Sequence, residues 1–139
     1  MKGYLLDTNV ISEVRKGSKC DAKVADWVVS VPMMQMYLSV ISMMEISSGI
    51  FKVLRSQPEF GLKLNDWYEN ELKSGFAGRV LMVDLGIAEI GARLNHQRSL
   101  PYRDGLLAAT ASRHGFTLVT RNIKDFAQMD LELLNPWVD

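Results

Sequence analysis

The feature that most limits the fold of this 139-residue chain is the alternation of strand-like and helical segments along it. Short runs with strand character are separated by longer runs in which apolar residues recur at helical spacing. Strands are predicted at residues 3–6, 36–40, 79–83, 117–120 and 131–134, and helices at 10–16, 21–31, 43–55, 59–76, 86–98 and 104–114. This order predicts an α/β fold with a central, mostly parallel sheet of about five strands, because parallel neighbours need crossover connections and helices supply them.

Length and composition predict a single domain, residues 1–139. A chain of this size buries most of the surface that its unfolded form exposes, and 47% of its residues are hydrophobic. The one cysteine, Cys20, excludes a disulfide framework, and with only two histidines the chain has too few soft ligands for a structural zinc site. Any metal ion would therefore be held by oxygen atoms.

Two features of the sequence bear on location and on charge. No apolar run reaches the roughly 18 residues of a membrane span, and the N-terminus lacks the profile of a signal peptide. We therefore expect no membrane association and a cytoplasmic protein. Sixteen Lys and Arg residues balance sixteen Asp and Glu residues, so no bulk positive field indicates a nucleic-acid partner.

Four acidic residues lie where predicted strands end or helices begin. Asp7 directly follows the first strand in YLLDTNVIS, and Glu45 follows the second strand in VISMMEISSGI. Asp104 lies at a helix start in LPYRDGLLAATA, and Asp125 follows a strand in LVTRNIKDF. The carboxyl ends of parallel strands open into one crevice, where these side chains can converge. Each acid alone can also be explained as a helix cap or first-turn acid; Ser42 and Glu45, for example, fit a capping box.

Convergence of these carboxylates predicts a hard divalent cation. Two unit charges about 5 Å apart at an effective dielectric near 20 repel by roughly 3 kcal/mol. Several such pairs would weigh heavily against a folding stability of about 5 to 15 kcal/mol. Either some acids take up protons or a cation neutralises them. Oxygen ligands favour Mg²⁺ or Mn²⁺, and the implied chemistry is metal-assisted attack of water on a phosphodiester.

The motifs LLDTNVIS, SMMEISSGI, YRDGLLAATASRHG and LVTRNIKDF, followed by NPW, together resemble a PIN domain of the VapC/FitB toxin type over nearly the full chain. The resemblance implies a PIN-like α/β/α sandwich and a homodimer. It also implies a Mg²⁺-dependent endoribonuclease acting on tRNA or other structured RNA, and a toxin whose partner is a VapB/FitA-like antitoxin protein.

The resemblance also assigns roles to individual residues. Four acids match the quartet that would bind the metal and carry catalysis: Asp7, Glu45, Asp104 and Asp125. Four neighbours would form a supporting layer around them: Thr8, Asn9, Thr120 and Asn122. The hydroxyl of Thr120 and the side-chain amide of Asn122 would orient the carboxylates or a metal-bound water, and Thr8 and Asn9 would fix the turn and the helix start after Asp7. Gly105 departs from the small or apolar side chain expected after Asp104, which predicts a helix start less stable by up to about 1 kcal/mol than with alanine.

Several basic residues lie near the predicted crevice in the sequence and are candidates for contacts with RNA phosphates: Lys16, Lys52, Arg103, Arg121 and Lys124. Because the net charge is zero, they predict a confined basic rim rather than a broad basic face. Affinity for RNA should then fall with salt, but with a small slope.

Two other classes of protein stay open from the sequence. A HAD-like aspartyl phosphatase also places an acid after the first strand of a doubly wound sheet, but its D-x-D-x-T pattern needs an aspartate where Asn9 stands. A non-catalytic α/β binding module, whose carboxylates only cap helices, predicts neither metal affinity nor activity.

Overall fold

The central sheet of the computed structural model, which describes residues 2–138, is parallel throughout. Its strands lie in the order β3-β2-β1-β4-β5. Their bounds are β1 Tyr4–Leu6, β2 Met36–Ser39, β3 Val80–Leu81, β4 Thr117–Val119 and β5 Leu133–Leu134. All five strands fall inside the predicted runs and are shorter than predicted. The predicted α/β class and parallel sheet are therefore confirmed.

Helices make the crossover connections between the strands. The α-helical segments are α1 Thr8–Val14, α2 Ala22–Ser30, α3 Val40–Ser56, α4 Pro58–Trp67, α5 Lys73–Gly75, α6 Leu85–Arg98 and α7 Tyr102–His114. A π-helical turn, Tyr68–Leu72, joins α4 to α5 where a single helix over 59–76 was predicted. Short 3-10 turns lie at Gly17–Lys19, Met33–Gln35 and Ile123–Phe126.

The start of α3 differs from the prediction, and the capping box of Ser42 and Glu45 does not form. The hydroxyl of Ser39, the last residue of β2, accepts the N–H of Ile41 at 3.0 Å, so α3 begins at once after the strand. Glu45 consequently lies in the second turn, beyond the reach of the helix cap. Ser42 is fully buried, and within residues 2–138 its hydroxyl has no hydrogen-bond partner.

The two faces of β1 belong to different hydrophobic clusters, because neighbouring residues of a strand point to opposite sides of the sheet. Leu6 packs in a cluster with Val10 and Ile11 of α1. Leu5 packs on the other face with Leu107 and neighbouring residues of α7. This arrangement is the predicted α/β/α sandwich, and it holds the carboxyl end of β1 between two packed layers. None of the helices in the described part of the chain has the length and apolar content to cross a membrane.

Gly105 has a packing function that the sequence did not reveal. A Cβ atom at this position would run into the side-chain amide of Asn95, and Gly91 lies opposite it on α6. The missing side chain allows α6 and α7 to approach closely, which fixes the first turn of α7 against its neighbour.

Candidate active site at the end of the central strand

Asp7, the residue that follows β1, is a buried carboxylate with several donors. Its side chain is 1% exposed. Oδ1 accepts the N–H of Thr8 at 2.7 Å, which caps α1, and also accepts a hydrogen bond from Nη2 of Arg103. Oδ2 accepts the hydroxyl of Thr120 at 2.8 Å. A carboxylate is retained at such depth only when it is hydrogen-bonded and balanced by charge, so Asp7 does more than cap a helix.

Three of the four predicted acids meet around one guanidinium group. Arg103 donates through Nε to Oε2 of Glu45 at 2.7 Å and through Nη1 to Oδ1 of Asp104 at 2.9 Å. Its Nη2 donates to Asp7. The carboxylates come from the end of β1, from α3 and from the first turn of α7. The predicted convergence of Asp7, Glu45 and Asp104 is therefore what the fold produces, and we call these three acids with Arg103 the acidic cluster.

Two threonine hydroxyls hold the acidic cluster in place. Thr8 donates its hydroxyl to Oε1 of Glu45 at 2.6 Å, and Thr120 donates to Asp7. Thr8 belongs to α1 and Thr120 follows β4, so each hydroxyl links two separate parts of the fold. These contacts fix the rotamers of the carboxylates, as supporting residues do around a metal centre.

Asn9 and Asn122 act one step further out, through Thr120. The side-chain N–H of Asn9 lies 3.4 Å from the Thr120 hydroxyl, and the Asn9 Oδ1 accepts the backbone N–H of Arg121 at 3.3 Å. The backbone N–H of Asn122 donates to the same hydroxyl at 3.1 Å. The residue at position 122 was predicted to act through its amide side chain, whereas the contact shown is made by its backbone.

The local charges of the acidic cluster shift two pKa values. Burial raises the pKa of Glu45, but the hydrogen bonds from Arg103 and Thr8 outweigh this effect and leave the pKa below its ordinary value. Burial lowers the pKa of Arg103, but its contacts with Glu45, Asp7 and Asp104 raise the pKa above the ordinary arginine value. Glu45 is therefore ionised and Arg103 is cationic at neutral pH, and the single guanidinium balances only one carboxylate charge.

Asp125 is not brought into the acidic cluster. It is exposed on the 3-10 turn Ile123–Phe126, and its backbone N–H donates to the carbonyl of Asn122 at 3.0 Å. Over residues 2–138, no hydrogen bond or ion pair joins its carboxylate to Asp7, Glu45 or Asp104.

The RNA cleavage that the resemblance to PIN domains implies should therefore be impaired far less by Asp125→Asn than by the same change at a clustered acid. We expect a loss of about tenfold or less, against a loss of at least about a hundredfold when a clustered carboxylate is neutralised. The measurement is the initial rate of cleavage of one labelled RNA by Asp125→Asn and Asp104→Asn at equal protein concentration. Equal losses for the two variants would show that Asp125 works together with the other three acids.

The donor set of the acidic cluster fits a hard divalent cation in its chemistry. Three carboxylates from separate elements surround one positive centre, without a sulfur or nitrogen ligand among them, which is the environment that Mg²⁺ and Mn²⁺ favour. Within the described residues, no group of three or more His, Cys, Asp or Glu side chains is arranged to hold a metal ion as it stands. The guanidinium of Arg103 lies between the carboxylate oxygens that would bind the ion.

Four of the predicted basic residues are exposed, and the fifth, Arg103, is partly buried. Lys16 forms an ion pair with Glu13 at 2.9 Å, and Arg121 lies over the ring of Trp137 with 5.1 Å to the centroid. Lys52 and Lys124 are exposed. Arg103 lies inside the acidic cluster instead of on a rim, a position that sequence reasoning missed. The signal available was its place directly before Asp104.

A cleft of about 330 Å³ begins beside the acidic cluster. Thr8 and Glu45 border it at one end, and apolar side chains that include Ile46, Phe60 and Trp67 form its wall. The site is therefore flanked by a mostly apolar channel between α1, α3 and α4.

Comparison with known proteins identifies the family of this chain. The family model described as PIN domain matches residues 4–131. Toxin FitB from Neisseria gonorrhoeae is 34% identical over 140 aligned positions, which cover 97% of this chain and 99% of that protein. VapC ribonuclease Y4jK from Sinorhizobium fredii is 33% identical, with 96% of each chain covered.

Solved structures give the same assignment. The chain superposes on a crystal structure of FitAcB from Neisseria gonorrhoeae with a TM-score of 0.86 and 33% identity, covering 96% of this chain and 98% of that one. A DNA-bound VapBC from Salmonella typhimurium, 21% identical with a TM-score of 0.71 and coverage of 98% and 99%, shares the fold. The family model, the relatives and the fold together show that this chain belongs to the PIN-domain family and is close to the FitB and VapC toxins.

Proposed function

We propose that this protein is a divalent-metal-dependent endoribonuclease and the toxin of a toxin–antitoxin pair, with residues 1–139 acting as one PIN domain. The observation that carries the proposal is the meeting of Asp7, Glu45 and Asp104 around one positive group at the carboxyl end of the central strand. Relatives named VapC ribonuclease and Toxin FitB support the reaction and the role. PIN-domain ribonucleases are metal-dependent in general, and Mg²⁺, with Mn²⁺ as a substitute, is the ion that suits these oxygens.

The residues of the site divide the work of catalysis. Asp7, Glu45 and Asp104 would hold the ion, whereas Asp125, the fourth acid that the sequence predicts for the site, lies exposed outside the acidic cluster. The ion would supply positive charge that stabilises the phosphodiester in the transition state, and it would activate the attacking water. Thr8 and Thr120 keep the oxygens of Glu45 and Asp7 directed at the centre through their hydroxyls. Asn9 and Asn122 keep Thr120 in place from behind.

The RNA substrate, tRNA or another structured RNA, would reach the site past Lys52, Arg121 and Lys124, which are exposed and can neutralise phosphates. A protein that acts on such RNA works in the cytoplasm, which is where we place it. The basic residues form a small set, as expected for a chain of zero net charge.

A protein partner is supported by exposed apolar side chains on α3 and α4, two of the helices that form the cleft. Met44 and Phe51 of α3 and Leu62 of α4 are 64%, 66% and 63% exposed, and the apolar cleft opens beside Glu45. Solved relatives are described as FitAB bound to DNA and as a toxin-antitoxin complex from Klebsiella pneumoniae. We propose a VapB/FitA-like antitoxin and a second copy of this chain as the partners of these surfaces.

The two alternative classes explain less of the structure. A HAD-like phosphatase needs a second aspartate at position 9, and the amide of Asn9 is instead engaged with Thr120 and Arg121. A module whose acids only cap helices would not place Glu45 in the second turn of α3 against Arg103. Helix capping accounts for one contact of Asp7 and for none of the contacts of Glu45.

Cleavage of RNA that depends on a divalent ion is the direct test of the proposal. The purified protein, incubated with a total tRNA pool and Mg²⁺, should produce a few defined ends, and a chelator should abolish them until excess Mg²⁺ is restored. Because the ion binds the folded cluster and not the unfolded chain, millimolar Mg²⁺ should also raise the melting temperature. Cleavage that persists in chelator would exclude the metal mechanism. An unchanged melting temperature together with no cleavage would favour the binding module.

A further inference from the structure

Arg103 occupies the centre of the acidic cluster and uses three different nitrogens to do so. Nε, Nη1 and Nη2 contact Glu45, Asp104 and Asp7 respectively, so one guanidinium contacts one oxygen of each carboxylate that the proposed function assigns to the metal. The planar guanidinium, with its fixed donors, suits this distribution. Arg103 is thus a resident counter-ion supplied by the same chain.

The oxygen atoms that Arg103 contacts are potential ligands of a metal ion. Oδ1 of Asp7 accepts the N–H of Thr8 and the Nη2 of Arg103, which takes up both of its lone pairs. Oδ2 accepts the hydroxyl of Thr120. On Oδ1, a lone pair becomes available for an ion only when the guanidinium leaves, because the contact with Thr8 is part of the start of α1.

The positive charges of Arg103 and of a divalent ion also argue that the two cannot occupy the site together. A guanidinium and a divalent ion bound to the same three carboxylates would lie within a few ångströms of each other in a partly buried site, where like charges repel strongly. The Arg103 side chain is 29% exposed, whereas Asp7 is 1% exposed. Glu45 is 34% exposed and Asp104 15%, so the guanidinium and Glu45 both reach solvent, and Arg103 has a path out of the acidic cluster.

We propose that Arg103 is an intramolecular competitor of the divalent cation: it neutralises the carboxylates in the metal-free protein and is displaced when the ion binds. This inference rests on the proposed metal site. It makes the metal-free toxin more stable and its affinity for the ion lower than the carboxylates alone would give, because binding must include release of the guanidinium. Arg103 thus sets the ion concentration at which the site is loaded.

The test compares Arg103→Gln with the parent and with Arg98→Gln, a control that removes the same charge. Arg98 is exposed and donates to Gln128, and within residues 2–138 no hydrogen bond or ion pair joins it to the acidic cluster. The probe is Mn²⁺ alone, with its dissociation constant measured by titration calorimetry and electron paramagnetic resonance. We expect Arg103→Gln to bind Mn²⁺ about tenfold more tightly than the parent. Its melting temperature should be lower without metal and rise further with metal, and Arg98→Gln should behave as the parent.

If Arg103→Gln binds Mn²⁺ as tightly as the parent or more weakly, Arg103 does not compete with the ion, although the proposed metal site is still supported. No Mn²⁺ binding by any of the three proteins would overturn the metal site and the competition together. A variant that folds only in Mn²⁺ supports the proposal. If Arg103→Gln does not fold with or without Mn²⁺, the Arg103→Lys variant is tested instead, because one ammonium group cannot contact all three acids. Tighter Mn²⁺ binding by Arg103→Lys than by the parent supports competition, and equal or weaker binding excludes it.

Discussion

Replacing Asp7 with asparagine should abolish RNA cleavage and leave the fold in place. The substitution removes one of the charges that hold the ion, and losing such transition-state stabilisation lowers the rate by at least about a hundredfold. The fold should survive because asparagine has almost the same volume as aspartate and its side-chain oxygen still accepts the N–H of Thr8. The measurement is the cleavage rate on one labelled RNA, with circular dichroism to verify the fold.

Asp84→Asn is the matched control for this change. Asp84 also follows a strand and caps the next helix, since its Oδ1 accepts the N–H of Ile87 at 2.9 Å, but it lies outside the acidic cluster. The Asp84→Asn variant should cleave RNA at the parental rate. If Asp7→Asn cleaves RNA as fast as Asp84→Asn, Asp7 is not part of the catalytic site.

Thr120→Val should reduce both the cleavage rate and the stability of the protein. Valine has nearly the same shape, but it leaves Oδ2 of Asp7 without its donor and takes the acceptor from the backbone N–H of Asn122. An unsatisfied buried polar group costs about 1 to 3 kcal/mol in the free energy of unfolding. Loss of a residue that orients a metal ligand lowers activity by about 10- to 100-fold. Denaturant unfolding and cleavage kinetics on the same sample measure the two effects.

Thr110→Val separates orientation of Asp7 from the general effect of removing a buried hydroxyl. Thr110 is fully buried in α7, and its hydroxyl donates to the carbonyl of Leu106 in the same helix at 2.7 Å. This variant should lose some stability and keep its cleavage rate. If Thr120→Val and Thr110→Val lose activity equally, Thr120 has no special role in orienting the site.

Fold class was accessible from local patterns because each strand and helix shows its own period. The five strands lie within the predicted runs, and helices separate them along the chain, which makes a parallel sheet the natural arrangement. Boundaries were less accessible. The extension of α3 back to Val40 depends on one hydroxyl of Ser39, and the π-helical turn Tyr68–Leu72 interrupts a run whose apolar spacing looks continuous.

Three of the four acids could be assigned to one site from the chain alone, because the carboxyl ends of parallel strands open at the same edge of the sheet. Asp7 and Glu45 follow β1 and β2 along the chain, and Asp104, in the first turn of α7, meets them through Arg103. Asp125 follows β4 as well, but the 3-10 turn that carries it leaves its carboxylate exposed. The local pattern does not specify how such a turn orients its side chains.

Local sequence was sufficient for the α/β class, the parallel sheet and the carboxylates at its edge, since these follow from periodicity and from residues next to strand ends. Long-range packing was needed to establish which positive group stands among those carboxylates. Arg103 appeared to be one more basic residue available to RNA, yet its guanidinium contacts acids from β1, α3 and α7. The direction of a long side chain depends on how separate elements meet in space, and no pattern within one segment contains that information.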